Sequence, residues 1–475
     1  MRHKVTLGSV HKGSEAFIIA EHFVNKEKSI LYIARDDREI YALQSKLFWL
    51  LPKADILIFR SWDQIPYDNV SPSREIQSER IKSLYQLSVN KQKKIILSSV
   101  NAIIQRTVDK SFIKKNYVTI FVNQKLNFNH FIQQLISLGY QRTSVVREKT
   151  DFAIRGSIVD IFIVDRKNPL RIDFFDNNIE SIYEFDRLTQ KRLLKIENEK
   201  IYIHPSSELL INDETITLFR KNFREIFSNY RLSQVYNSFS ESILPPGGEQ
   251  FLPFFLEKME TFFNFVNDCQ VIVNSQFNDL LENRIENIND FFKARKQLND
   301  NFYLKPDQLY LSSNETNHYL SKNDLIKFSE FTDEKSKKAN IKKIPNLSSI
   351  RKEIDFDFID KFFNIHSKLK TIIICCRSLG SLDRVHKIIY ENLNISLNHI
   401  KNFQEIKENI NFYITTLEID DAFELGKLIF LNEKSLFGYN FATKEKRIKN
   451  TNIFFEEINK LTKESVLVHS DYGLC

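Results

Sequence analysis

Two stretches carry residue types at spacings that could do chemistry. The first is Gly8-Ser9-Val10-His11-Lys12-Gly13-Ser14-Glu15, which has the two glycines of the phosphate-binding pattern G-x-x-x-x-G-K-[ST] ahead of a helical segment. That pattern works by pointing backbone N–H groups at phosphate, reaching the terminal phosphates with the lysine and ligating Mg²⁺ with the hydroxyl. Here Ser14 stands at the lysine position and Glu15 at the hydroxyl position, so a cation is missing and a carboxylate faces the phosphates. The expectation is a tight turn into a helix, with Gly8, Gly13, Ser14 and Glu15 the remnant of a nucleotide loop. The second stretch is Arg155-Gly156-Ser157-Ile158-Val159-Asp160-Ile161-Phe162 with Arg171-Ile172-Asp173-Phe174-Phe175-Asp176. As strands, period-2 alternation puts Arg171, Asp173 and Phe175 on one face and Ile172 and Phe174 on the other. Two readings stay open: an exposed arginine-and-aromatic face of the kind that anchors a protein partner, or a solvated Arg171–Asp173 ion pair with Phe175 in the core.

A third segment, Ser61-Trp62-Asp63-Gln64-Ile65-Pro66-Tyr67-Asp68-Asn69-Val70-Ser71-Pro72, crowds aromatics, prolines and carboxylates into one loop. It reads as a packed loop with a functional role as the alternative. The ten histidines form no Ser/His/Asp or Cys/His arrangement, and the four cysteines include no C-x-x-C pair, so neither a catalytic constellation nor a metal site is expected. Lysine runs near 91–94, 335–343 and 444–449 could touch phosphate, although charge runs in polar stretches are usually solvated.

The elements that must position these residues follow from hydrophobic periodicity. From Ser29 to Arg106, SILYIA, DDREIYALQSKLFWLL, DILIF, SREIQSERIKSLYQL and KKIILSSV alternate strand-like and helical patterns, predicting β-α-β units on a parallel sheet. Ser71-Pro72 is expected to supply the N-cap and first-turn proline of the second helix in that run. Between 117 and 205 the pattern becomes strand-like, with IDFFDNNIESIYEF predicted to form a hairpin around Asp176-Asn177-Asn178. CQVIVNSQFNDLLENRIENINDFF then returns to strand followed by helix, and LKTIIICC, SLDRVHKIIYENL and NFYITTLEI form a further α/β unit. The expected fold class is α/β: a parallel-sheet domain in two parts (1–115 and 206–330) interrupted by a β-rich insertion (116–205), then a linker (331–349) and a second small α/β domain (350–440). A second linker (441–464) and the start of another domain (465–475) complete it.

With 475 residues, 42% hydrophobic, the chain can bury several cores, and it has no apolar run of the length a membrane helix needs. A cytoplasmic protein without membrane contact is expected. The net charge of +7 is a mild bias toward anionic partners and does not by itself imply nucleic-acid binding.

Taken in order, the degenerate loop, DQIPYDNVSPSREIQSERIKSLYQL, FAIRGSIVDIF, RIDFFDNNIESIYEFD, LPPGGEQFLPFF and LVHSDYG resemble the N-terminal part of bacterial transcription-repair coupling factors (Mfd), whose first domains are similar to UvrB. The resemblance implies a repair-recruitment segment that docks the damage sensor UvrA through the inserted domain, with Arg155, Arg171 and Phe175 at the matching positions and Asp173 as a further contact. Arg155 and Arg171 would supply charge-assisted hydrogen bonds and Phe175 an aromatic anchor. It also implies a segment that is not itself an ATPase and needs no cofactor. In the intact family ATP and Mg²⁺ serve helicase-like motor domains, and RNA polymerase and double-stranded DNA are engaged through parts beyond this stretch. Cys475 stands where the family's V-H-x-x-x-G-x-G pattern has its second glycine, so a fragment or incomplete gene product is expected. Thr150-Asp151-Phe152 departs from the family's frequent glycine before an acidic-aromatic pair. The alternatives are a UvrB-like subunit or helicase binding ATP and damaged DNA, and a plain DNA-binding module.

Overall fold

The structure is a computed structural model describing residues 4–90, 92–164, 166–266, 268–297, 302–347, 354–407 and 409–438, together with the backbone of the strands Val468–His469 and Gly473–Leu474. The expected linker over 441–464 and most of the expected domain start over 465–475 lie outside the described residues.

Apolar runs bounded by turn residues form a seven-stranded, wholly parallel sheet. Its spatial order is Lys337–Lys338, Lys4–Gly8, Asp324–Phe328, Gln270–Asn274, Ile30–Ala34, Ile95–Ser99 and Ile56–Phe59. Every residue of Ile30–Ala34 and Ile95–Ser99 is buried, as expected for central strands covered by helices on both faces. The strand Gln270–Asn274, 236 or more residues after its neighbour Ile30–Ala34, sits beside it in register (Val271 opposite Leu31), so the first sheet resumes after the inserted segment. The helix after Pro72 begins at Arg74 with Ser73 as its N-cap, two residues later than the expected cap at Ser71. The difference has a physical cause: the Ser71 hydroxyl accepts the N–H of Gly247 (3.1 Å), while Ser73 is free to cap Ile76.

The insertion is a six-stranded sheet in the order Arg192–Ile196, Asn178–Phe185, Leu170–Phe175, Ile158–Ile161, Asp151–Arg155 and Gln141–Arg142. All neighbours are antiparallel except the last pair. One face packs on the helix Phe128–Ser137 and on the two-stranded pair Val118–Ile120 and Ile201–Ile203, through Phe131, Leu135, Ile172, Phe174 and Ile182 among others. On the opposite face the buried apolar cluster is small: Val146, Ala153, Phe162 and Phe185. The insertion is tied back to the helix Arg74–Val89 by ion pairs from Arg74 to Asp151 (3.3 Å) and Glu148 (3.5 Å).

The stretch expected to be a linker at 331–349 instead contributes to two sheets. Lys337–Lys338 forms the edge of the first, and Ile341–Lys343 forms the edge of a third sheet ordered Ile341–Lys343, Phe423–Leu425, Leu428–Asn432, Thr371–Cys376, Phe412–Thr416 and Asn398–His399. Its lysines point to solvent from both edges while Ala339 and Ile341 are buried, so a polar composition coexists with pairing.

Candidate partner-docking face

The face of the inserted sheet that lacks a helix carries the residues singled out in the sequence. Alternation holds along Leu170–Phe175: Leu170, Ile172 and Phe174 are buried, Arg171 and Asp173 half-buried and Phe175 exposed. Antiparallel register then assembles two rows across the strands. One runs Ala153, Asp160, Arg171, Tyr183, Lys195; the other runs Arg155, Ile158, Asp173, Ser181.

The ion pair imagined between Arg171 and Asp173 does not form. The Arg171 guanidinium instead grips Asp160 with two parallel bonds, Nε to Oδ1 at 2.7 Å and Nη2 to Oδ2 at 2.8 Å, and Nη1 donates to the Gln190 carbonyl at 3.3 Å. It also lies over the Phe185 ring at 4.6 Å. The hydrogen bonds it donates to Asp160 push the Arg171 pKa further above its ordinary value. Asp160 is 1% exposed and the Arg171 side chain 13%, so this is an internal clamp that fixes the sheet. Most of the donors expected to reach a partner from Arg171 are therefore spent inside the domain.

Asp173 pairs with Arg192 (2.8 Å) and accepts the Ser181 hydroxyl (2.9 Å) on the same oxygen, Oδ2, while its buried Oδ1 accepts nothing among the described groups. Phe175, far from being core, is 71% exposed. It sits where the hairpin turns through Asp176 and Asn177, with Asp176 in the left-handed region at φ 53°. The neighbouring turn, Gly156-Ser157 with Gly156 at φ 62°, lies beside it, since the Phe174 N–H donates to the Ser157 carbonyl at 2.9 Å. Arg155, which opens that turn, is exposed and forms no ion pair among the described residues. The sheet thus brings an exposed ring and an exposed guanidinium to one end of the open face, with the Arg171–Asp160 clamp beneath them.

Sequence reasoning missed two members of this face. Asp160 was read only as part of a strand, because its partner is set by cross-strand register. Arg192 escaped notice altogether; the signal that could have found it is the run Arg187 to Ile196, which holds Arg187, Lys191, Arg192 and Lys195 and no carboxylate.

The N-terminal loop is built differently from a phosphate cradle. Gly13 takes φ 93°, and its N–H donates to Glu15 Oε2 at 2.7 Å, so the chain's own carboxylate occupies a donor that would face phosphate. Ser14 is fully buried and its hydroxyl donates to the His11 carbonyl at 2.6 Å. Burial raises the Glu15 pKa, opposed in part by the nearby Lys46. Lys46 in turn pairs with Asp420 of the third sheet's domain at 3.3 Å, and a Cβ at Gly13 would approach the Asp420 backbone N to 3.0 Å. The cleft of about 650 Å³ that remains is lined by Lys12, Arg35, Arg38 and Lys46 but equally by Glu15, Glu39, Glu330 and Asp420.

The aromatic loop at 61–72 is held internally. Trp62 Nε1 donates to Glu208 (3.2 Å), Tyr67 OH to the Leu304 carbonyl (3.1 Å), and Asp63 accepts the Ser73 N–H (2.9 Å). Its packing reading is the one its geometry supports.

Comparison with known proteins matches residues 118–209 to the family described as the UvrB interaction domain. The chain is 29% identical over 472 residues, 98% of its length, to the transcription-repair-coupling factor of Rickettsia bellii (strain RML369-C), of which it covers 41%. It is 30% identical over 329 residues to that of Haemophilus influenzae (69% of this chain, 28% of the relative), and 29% over 271 residues to that of Escherichia coli K12 (57% and 23%). The chain therefore spans about two fifths of the length of the rickettsial protein. Among the described residues no helix is long and apolar enough to cross a membrane. The sheet bearing Arg155, Arg171, Asp173 and Phe175 thus lies within the stretch that matches the UvrB interaction domain, in a chain similar along nearly its whole length to part of transcription-repair-coupling factors.

Proposed function

We propose that this chain is the repair-recruitment segment of a transcription-repair coupling factor and that it docks UvrA through the open face of its inserted domain. The observation that carries this reading is the pairing of an exposed Phe175 ring with the exposed Arg155 at adjacent turns of a domain matched to the UvrB interaction family. A free aromatic beside a free guanidinium on a rigid sheet end suits a desolvated anchor ringed by charge. Arg171 acts as a positioning residue: its clamp on Asp160 holds the strand from which Phe175 projects, and only its remaining N–H capacity is available to a partner. Asp173 serves by orienting Arg192. The segment recruits and does not hydrolyse ATP, a reading supported by the Glu15 carboxylate on the Gly13 N–H and by the absence of a lysine after Gly13. RNA polymerase, DNA, ATP and Mg²⁺ are engaged, on this reading, by parts of the intact protein other than these residues, in the cytoplasm.

The test is calorimetric titration of the full chain with cognate UvrA. Saturable binding is expected, and Phe175→Ala and Arg155→Ala should each weaken it at least tenfold, about 1.4 kcal/mol, with the circular dichroism unchanged. Binding indifferent to both substitutions would refute the docking assignment. Saturable, Mg²⁺-dependent binding of ATP to the same chain would refute the non-hydrolysing reading and favour a UvrB-like subunit.

A further inference from the structure

We infer that the docking face continues onto the free edge of the inserted sheet, where the strand Arg192–Ile196 accepts an acidic, extended segment of the docked partner as an added strand. This rests on the proposed docking through the same domain.

Arg192–Ile196 is the terminal strand of its sheet, paired on one side only, with Asn178–Phe185. Its outer row of N–H and C=O groups is therefore a template for another strand. Natural edges are commonly blunted by lysine, and Lys191 and Lys195 alone would be read that way. Three exposed leucines are not a blunting device: Leu188 is 61%, Leu193 56% and Leu194 63% exposed, within seven residues of each other. The register explains two of them. Tyr183 faces Lys195 and Phe185 faces Arg192, so three steps on the edge strand match two on its neighbour, and the extra residue leaves both Leu193 and Leu194 outside the core.

The chemistry of the occupant follows from the charges. Residues 187–196 hold Arg187, Lys191, Arg192 and Lys195 and no carboxylate; Lys195 pairs with Glu197 (3.1 Å) and Arg192 with Asp173, which leaves Arg187 and Lys191 as the excess positive charge by which the edge favours an acidic segment and disfavours a second copy of itself. Continuity with the docking face is direct, because Arg192 lies over the Tyr183 ring (4.3 Å) and bonds Asp173 (2.8 Å), both on the open face. In such a pairing the main chain supplies the hydrogen bonds, the leucines take apolar side chains and the cations select the acidic sequence.

The experiment uses the full chain and UvrA. Hydrogen exchange should show the amides of 192–196 slowed at least tenfold in the complex, and Leu193→Asp/Leu194→Asp should weaken binding at least tenfold. Binding that Phe175→Ala weakens, while the edge amides exchange as in the free chain and the edge variant stays within twofold, would overturn the edge assignment and leave the docking reading standing. If wild-type chain and UvrA do not bind, the docking reading fails first and the edge assignment falls with it. Should the edge variant not fold, exchange in the wild-type complex decides alone.

Discussion

The Arg171–Asp160 clamp makes a prediction that separates holding the face from touching the partner. Asp160 is 1% exposed and receives two charge-assisted hydrogen bonds from one guanidinium. Arg171→Ala would strand that carboxylate in the sheet, and removing one member of a buried pair commonly costs about 3–5 kcal/mol. The 13% exposure of the arginine side lets water reach the orphan, placing the cost near the lower end, while the lost contact with the Phe185 ring returns roughly 1 kcal/mol to it. Asp160→Ala should cost somewhat less, about 2–3 kcal/mol, since Arg171 keeps the Gln190 carbonyl and can turn toward solvent. The double variant strands no charge, so its cost should fall short of the sum by about 2 kcal/mol or more. Because the chain holds several domains, global unfolding is a poor readout, and native-state hydrogen exchange of the strands Ile158–Ile161 and Leu170–Phe175 measures the local opening energy instead. Titration with UvrA supplies the second readout: Asp160→Ala, which cannot touch a partner, should weaken binding about as much as Arg171→Ala. Additive exchange energies, or binding lost with Arg171→Ala and intact with Asp160→Ala, would refute the clamp as the reason Arg171 matters.

Thr150 sits at φ 71° with its buried hydroxyl unpartnered, a conformation that favours glycine and is strained for a β-branched residue. Thr150→Gly should therefore stabilise the insertion by about 1 kcal/mol, net of the glycine's greater unfolded entropy; faster exchange of the strand Asp151–Arg155 in the variant would contradict this. Burial raises the Glu15 pKa, so between its ordinary value near 4.5 and the raised one the folded chain holds more protons than the unfolded chain, and stability falls as pH rises through that window. Glu15→Gln keeps an acceptor for the Gly13 N–H and removes the titration, so the difference in melting temperature between variant and wild type should grow from pH 4.5 toward neutrality. A difference that does not change with pH would show that Glu15 titrates alike in both states.

Much of the architecture was legible because buried parallel strands read as unbroken apolar runs: Ile30–Ala34 and Thr371–Cys376 are strands where the sequence reads ILYIA and TIIICC. The hairpin at Asp176-Asn177 and the alternation along Leu170–Phe175 were legible for the same reason, since periodicity survives without tertiary context. Partners were not. Arg171 stands two residues from Asp173 in sequence, yet register sets it opposite Asp160. Exposure of Phe175 likewise depends on which sheet face receives the helix Phe128–Ser137, which alternation alone cannot say. Local capping failed at Ser71 because its competitor, Gly247, comes from 176 residues away. That contact also joins two motifs that looked independent: SPSREIQ and PPGGEQ meet where Gln77 Nε2 donates to Glu249 at 3.1 Å and to the Pro72 carbonyl at 2.9 Å.

The degenerate loop shows why a lost phosphate site need not be a vacant one. The helix that follows it, Glu15–Asn25, turns Phe17 onto Phe423 and Phe430 of the third sheet, with ring centroids 5.0 and 4.6 Å apart, and the next helix, Asp37–Leu50, sends Trp49 Nε1 to the Thr415 hydroxyl at 2.9 Å in a buried setting. One apolar core consequently spans the first sheet's helices and the third sheet. Asp420 projects from that same joint, where it pairs with Lys46 and crowds Gly13. A lysine at position 14 would have to enter a site that is fully buried and already hydrogen-bonded to His11, so the substitution Ser14→Lys alone could not rebuild a phosphate cradle without opening the joint. Gly13 is thus explained by the domain contact it allows, and Gly8 by the close approach of Phe331 and Thr332, where a Cβ would come within 2.5 to 2.9 Å of their atoms.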